Sequence, residues 1–380
     1  MAAKTALSHY QQQFFSYQNP QNKLLHFNNA GLAPICLPAK ERIQYWGQRF
    51  YEEGFFTDHD YMQDIQNTRQ RLAQLIGCES TEVAFFQNTS AAISQVAFSM
   101  GLQATDEVVM WEQEFSSNMY PWQEACRQSG AQLILVPTPA DYRTPYETLL
   151  QSCTPRTKVI AISWVQFQTG EMTDLKNLIE QAHQKNIFVM VDAIQGLGLH
   201  ECDFKSWNID ALVGGSHKWL TSPVGVGFLA LRQDHISKMI PRVIGSMTYG
   251  TCDDPAMLGC IPKRDATKFE NSSKQVLEIT ALGAALELIL KTGVDVIRGE
   301  ACRLAHILSK ELLQKKFVLH SQLEGPIPIV NFSNTRFSNQ ELKQKLSTIH
   351  ANCALRGPGV RLSPHAFNTE TEIQKIVSVL

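Results

Sequence analysis

The chain reads as an α/β protein: a large domain with a mostly parallel central sheet covered by helices, followed by a smaller α+β C-terminal domain. Three observations predict this. Between residues 80 and 231, short runs rich in β-branched and aromatic residues alternate with longer polar, helix-compatible stretches, the pattern of βαβ units. Several runs are continuously apolar rather than alternating, as strands buried on both faces are. From about residue 275 the apolar spacing becomes helical and leads into a second region of helices and short strands.

Taken in order, residues 1–20 are too short for a domain and read as a segment that packs on either of the two. Residues 21–265 form the large domain. Its candidate strands are EVAFF, EVVMW, QLILVP, KVIAISW, IFVMVD, ALVGGS and VGFLAL. Residues 266–380 form the small domain, opened by the helical run QVLEITALGAALELILKTGVDVI with its glycine stop, and carrying the strand-like PIPIVNFS. In an open, largely parallel sheet, ligands collect at the carboxyl ends of the strands.

Composition narrows the partners. A net charge of −2 and a pI near 6.6 leave no basic footprint for nucleic acid or an anionic membrane, so small molecules and other copies of the chain are the expected partners. No apolar run approaches the roughly 18 residues of a membrane span, and the N-terminus turns polar too early for a signal core. A cytoplasmic location is the expectation. Nine cysteines, an odd number with no CxxC pair, argue against a disulfide framework and against structural zinc.

Four places carry possible chemistry. IFVMVDAIQGLG ends a buried strand on Asp192, with Gln195 close behind. A carboxylate there is costly unless a cation or donor meets it, although by itself it also fits a cap or an ion pair. ALVGGSHKWL places Lys218 at the end of another strand, where desolvation lowers an amine's pKa and favours attack on a carbonyl; an isolated lysine more often reaches out to solvent. QNTSAAIS sets Thr89 and Ser90 at a helix N-terminus, fit for a phosphate or for no more than a cap. Arg361, in GPGVRLSPHAFNTETEI, fits either a ligand carboxylate gripped by two parallel hydrogen bonds or a structural ion pair. No histidine cluster has metal-ligand spacing and no GxSxG elbow is present.

A phosphate site, a strand-end carboxylate, a buried lysine and a carboxylate-binding arginine are the parts needed to use pyridoxal 5'-phosphate on an amino acid. The ordered set QNTSAAIS, EQEFSSNMYPW, QFQTGEMTDL, VDAIQGLG, GGSHKWLTSPVGVGF, KFENSS and VRLSPHAFNTETEI resembles the class V aminotransferase family over nearly the whole chain from HFNNAGLAP onward. That family includes cysteine desulfurases, selenocysteine lyases, kynureninase and isopenicillin N epimerase, and has the pyridoxal-phosphate-dependent transferase fold of type I. The resemblance implies that Lys218 holds the cofactor as a Schiff base and moves protons at the substrate α-carbon. It further implies that Asp192 keeps the pyridine nitrogen protonated and Gln195 bonds the phenolic oxygen. His217, Thr89 and Ser90 would reach the phosphate, and Phe115 would stack on the ring. Arg361, Asn29 and Phe167 are implied on the substrate side. Ser273, in KFENSS, stands where relatives often carry a threonine that reaches the partner subunit's phosphate, so a homodimer with shared sites is implied.

Three departures bear on the reaction. Phe115 occupies the place of the histidine that stacks on the ring in desulfurases and selenocysteine lyases; a phenyl ring stacks but moves no proton. Phe167 replaces a polar asparagine that touches the substrate, and Gly215 replaces a phosphate-binding serine, leaving Ser216 one place late. Cys353 lies only eight residues before Arg361, too close to be the family's nucleophilic loop cysteine. The expectation is an aminotransferase acting at an amino-acid α-carbon. Cβ–S lyase, desulfurase or selenocysteine lyase, and epimerase are the alternatives, and a noncatalytic binding protein is the reading outside catalysis.

Overall fold

A computed structural model describes residues 2–19, 21, 23–54, 59–250 and 260–380. The short first strand, β1 (Leu25–His26), precedes seven strands that form one sheet: β2 (Val83–Phe86), β3 (Glu107–Trp111), β4 (Gln132–Val136), β5 (Thr157–Ser163), β6 (Phe188–Asp192), β7 (Ala211–Gly215) and β8 (Gly227–Leu231). These are the seven runs expected from the sequence. Their order is β2-β8-β7-β6-β5-β3-β4. The pairs from β7 through β4 are parallel, whereas β8 is antiparallel to both β7 and β2. β8 alone therefore runs against the rest.

The continuous apolar runs are explained by burial on both faces. Val109, Trp111, Ile160, Ile162, Val189 and Val191 point into one apolar cluster, while Val108, Met110, Val159, Ala161, Phe188 and Met190 point into another. Successive side chains of one strand thus feed two cores. β4 is the exception: it lies at the sheet edge with Leu135 left 42% exposed, so an apolar run there marks pairing and not burial.

The remaining strands are β9 (Val318–Leu319), β10 (Val330–Ser333), β11 (Ala351–Asn352), β12 (Ala354–Arg356) and β13 (Gly359–Leu362). β9, β10, β13 and β12 make a small antiparallel sheet over a third apolar cluster. Two expectations about domain limits need correction. The helix Val276–Thr292 belongs with the large domain, because ten of its residues are buried and it packs against the helices Leu37–Glu53 and His59–Ile76. A helix that apolar has to be enclosed on nearly all sides. Conversely, β1 pairs in parallel with β11, and Leu25 and Phe27 pack in the small domain's cluster. The small domain is therefore assembled from both ends of the chain.

Near the N-terminus, the helix Ala2–Gln11 brings Tyr10 into the large core, where Phe14 stacks on Phe367 at 4.1 Å. Seven cysteines, Cys36, Cys78, Cys126, Cys153, Cys202, Cys302 and Cys353, are free. Cys260 is disulfide-bonded, and Cys252 lies outside the described residues. Among the described residues no helix is long and apolar enough to cross a membrane.

Candidate active site

The carboxyl ends of β2, β5, β6 and β7 meet at one end of the sheet. There they enclose a cavity of about 200 Å³ lined by Thr89, Ser90, Phe115, Phe167, Asp192, Gln195, His217, Lys218 and Arg361, among others. Nine of the residues singled out in the sequence therefore share one pocket. A larger cavity of about 500 Å³ near Asp210, at the sheet's other end, is less suited to chemistry. Asp210 already accepts bonds from His183 at 2.9 Å, His235 at 2.8 Å and the Val189 amide at 2.8 Å.

Asp192 and Lys218 owe their placement to register. β6 and β7 are parallel with Asp192 opposite Val213, so the loop leaving β7 carries Lys218 past the Asp192 carboxylate. Burial pushes the Lys218 ammonium down to about 7. The Asp192 carboxylate opposes that shift, and the Arg361 and Arg356 guanidiniums add to it. Burial likewise raises the Asp192 carboxyl to about 6, against the Ile194 amide, which donates to Oδ1 at 3.0 Å, and against Lys218. Lys218 Nζ stands 5.8 Å from the centre of the Phe115 ring, and Phe115 meets Phe167 edge-on at 5.0 Å.

At the opposite wall, the helix Thr89–Ser99 starts in the pocket with Asn88 Oδ1 accepting from the Ala91 amide at 2.9 Å. Two glycines permit this approach. A Cβ at Gly227 would run into the Asn88 carbonyl, and one at Gly215 would lie 2.8 Å from Thr89 Oγ1. Thr89 Oγ1 is buried and has no protein partner, which leaves its hydroxyl for a ligand. Ser216 Oγ instead donates to the Pro223 carbonyl, so the serine one place late turns away from the pocket. Burial and Lys218 lower the His217 imidazole to about 4, so it is a neutral ring at pH 7.

Gln195 is committed at both ends of its amide. Its Nε2 donates to the Ala30 carbonyl at 2.9 Å, and its Oε1 accepts from Trp219 Nε1 at 2.9 Å. One N–H of Nε2 remains for a ligand. Arg361, only 1% exposed, donates from Nη1 to the Phe167 carbonyl at 2.5 Å and from Nη2 to Asn28 Oδ1 at 3.3 Å, while its Nε has no partner. Burial, with Arg356 adding to it, lowers the guanidinium to about 9. A cation held only by neutral acceptors is an incomplete pairing, and a carboxylate completes it.

Two expected residues lie elsewhere. Asn29 is buried behind the pocket with Nδ2 donating to the Ser363 carbonyl at 2.8 Å; its neighbour Asn28 is the one that meets Arg361. The chain bends sharply here, and a one-residue step reverses which amide faces inward. Ser273 lines a different cavity, of about 440 Å³, with Phe98, Val243 and Lys274. Within one chain it does not reach the site. Cys353 is half-buried between β11 and β12 against the small-domain cluster, outside the pocket.

Four participants escaped the sequence reading. Arg356, Ser117 and Ser163 line the pocket. Glu114, behind Ser163, is pushed up by burial and accepts from Ser163 N at 2.9 Å, Gln166 Nε2 at 2.8 Å and Asn118 Nδ2 at 3.0 Å. Arg356 was detectable in principle: in ALRGPGVRL, a tight turn at Gly357–Pro358 puts residues 356 and 361 on one hairpin face.

Comparison with known proteins identifies the fold and the family. A curated cysteine desulfurase of Enterobacter sp. (strain 638) is 29% identical over 260 residues, covering 65% of this chain and 63% of that protein. A probable cysteine desulfurase of Mycoplasma genitalium is 26% identical over 90% of this chain and 85% of its own length. Among solved structures, the cysteine desulfurase CsdA of Escherichia coli superimposes with a TM-score of 0.87 at 20% identity, over 98% of this chain and 97% of the other. A C-DES mutant with glycine covalently linked to its PLP cofactor gives 0.88 at 20% identity, over 97% of each chain. At such identities the structures establish the fold. The family model "Aminotransferase class-V" matches residues 52–376, most of the chain, and the chain belongs to that family.

Proposed function

We propose that this protein is a pyridoxal-phosphate-dependent enzyme that acts at the α-carbon of an amino acid, with transamination as its reaction. The observation that carries the reading is the joint placement of Lys218, Asp192 and the unpartnered Thr89 hydroxyl around one small cavity. The residues fit the cofactor: the helix N-terminus at Thr89 and Ser90, with neutral His217, would hold the phosphate. Asp192 would face the pyridine nitrogen, and the spare N–H of Gln195 the phenolic oxygen. When bound, the cofactor supplies an electron sink for charge developing at the α-carbon.

The chain's own residues would do the rest. Arg361 grips the α-carboxylate and so fixes which α-substituent faces Lys218. With substrate bound, Lys218 Nζ would take the α-proton, a task suited to an amine poised near neutrality. Phe115 and Phe167 wall the pocket with apolar surface and exclude water. The purified protein loaded with pyridoxal phosphate should show a visible absorbance band that borohydride reduction removes. Amino acids plus an oxo-acid acceptor should then exchange amino groups. No band, or release of ammonia or sulfide without transfer, would reject the reading.

Lys218 also dictates a pH dependence. Lys218 would hold the cofactor only through its neutral amine, whose fraction grows as pH rises through the folded-state pKa. Capture of pyridoxal phosphate by apo-protein, followed as growth of the visible band, should accelerate through about pH 7 and level off above it. An ordinary lysine, titrating at 10.5, would keep accelerating to much higher pH.

Cleavage at the β-carbon of a sulfur amino acid is the second reading, favoured by the curated relatives named as cysteine desulfurases. No cysteine among the described residues lines the pocket, which speaks against sulfur transfer to the chain. Cys353→Ala should change turnover of any substrate, cysteine included, by less than about twofold, the scale of a surface change. We also infer a cytoplasmic homodimer, the pairing supported by the exposed apolar side chains Ile240, Val243 and Ile244 near the Ser273 cavity and the location by seven free thiols, against which stands the disulfide-bonded Cys260. Light scattering should give about twice 42.7 kDa.

A further inference from the structure

Among the described residues, one cation of the pocket has no acidic counterpart. Arg356 lines it beside Arg361 and Lys218, half-buried, yet among the described residues its guanidinium makes a single bond, from Nη1 to the Leu355 carbonyl at 3.0 Å. Among the described residues no carboxylate pairs with it, and Asp192 is the only acidic residue on the pocket wall, set against Lys218, Arg356 and Arg361.

Backbone geometry fixes where this arginine points. β12 and β13 form a tight hairpin in which Ala354 faces Arg361 and Arg356 faces Gly359. Cross-strand partners share a face, and so do residues two apart, which puts Arg356 and Arg361 on the same face as diagonal neighbours, about 7–8 Å apart at the backbone. The hairpin is clamped in place. Asn331, fully buried, donates from Nδ2 to the Arg356 carbonyl at 2.8 Å and to the Gln168 carbonyl at 3.0 Å. Gly357, at φ 49°, presses against the Gln168 side chain with no room for a Cβ. A free surface arginine would need none of this support.

We propose that Arg356 forms a second carboxylate subsite, so that the enzyme selects dicarboxylic amino acids. The inference rests on the reading that Arg361 takes the α-carboxylate. With that end fixed, a side chain leaving the α-carbon toward the hairpin meets Arg356, and a terminal carboxylate there pairs with a guanidinium that otherwise has no anion. A hydroxyl, amide or alkyl end leaves it unpaired.

The test separates this proposal from the proposed reaction. The holoenzyme is titrated calorimetrically with succinate and glutarate, and with butyrate and valerate as monocarboxylates of matching length. None carries an amine, so binding needs no chemistry at Lys218. The diacids should bind about 10- to 100-fold more tightly, the span of one hydrogen bond to a charged group. In Arg356→Gln, diacid affinity should fall to that of the monoacids while monoacid affinity stays unchanged, and Arg356→Lys should recover part of the preference. An unaltered visible band in both variants would show that the fold and cofactor site are intact. Equal binding of the two acid classes by the wild type, or a diacid preference that survives Arg356→Gln, would overturn the proposal. So would an equal loss of both classes, because Arg356 would then serve carboxylates in general. Failure of the reaction itself would appear as a missing band or missing amino transfer, whatever the acids do.

Discussion

Lys218→Ala should leave a folded protein that has lost turnover by about 10⁴-fold or more, the scale expected when the covalent anchor and the proton carrier are removed together. Among the described residues the side chain makes no ion pair or hydrogen bond that holds the loop; the backbone does that, with the Lys218 carbonyl accepting from Thr221 N at 2.9 Å. Thermal stability should therefore hold or rise slightly, since a desolvated cation has been deleted. The spectrum is the decisive readout. Cofactor added to the variant should give no borohydride-sensitive band, although phosphate contacts at Thr89 and Ser90 would still allow it to bind. A variant that kept more than about 1% of wild-type turnover would remove Lys218 from the chemistry.

Arg361→Met should separate activity from stability in opposite directions. The guanidinium is buried and, among the described residues, meets only the Phe167 carbonyl and the Asn28 amide oxygen, a charge with no anion beside it. Replacing such a group with an apolar side chain of similar length should stabilise the apo-protein by about 1 kcal/mol, at the low end of what buried ion-pair replacements give. Substrate binding should pay the difference. Losing two hydrogen bonds to a charged partner, each about 1.5–3 kcal/mol, predicts a fall in kcat/KM of about 10²–10⁴-fold, carried largely by KM. Chemical denaturation of the apo-protein beside steady-state kinetics checks both halves. A stability loss as large as the activity loss would make Arg361 a structural residue.

Much of this was legible in the sequence because the signals were local. A strand that ends in Asp192, or a helix that begins at Thr89, is visible within a dozen residues, and the seven sheet strands follow from their continuous apolar runs. Partners set by long-range packing were not. Val276–Thr292 is helical in pattern, but pattern alone does not tell which core encloses it. Asn28 and Asn29 differ only in which way one turn faces. Glu114 sits one residue before Phe115, and its role as a buried acceptor depends on Ser163 and Gln166, about fifty positions away. Arg356 could be placed from its hairpin but not interpreted: its meaning comes from the lack of a counter-ion among the described residues, and that is a property of space.

The small domain's double origin also governs when the pocket can exist during synthesis. Ala30 and Gly31 line it from the amino-terminal side, shortly after β1, and Arg361 from the far end, within β13. The two margins are joined by the Ser363 amide, which donates to the Phe27 carbonyl at 2.6 Å. A ribosome adds about 5–20 residues each second, so β1 waits some tens of seconds for its partner. Before then all seven strands of the large sheet, which end at Leu231, have been made, but no carboxylate grip is possible. Nascent chains arrested before residue 351 should thus take up cofactor without responding to amino acids, and a response from such chains would refute that order of assembly.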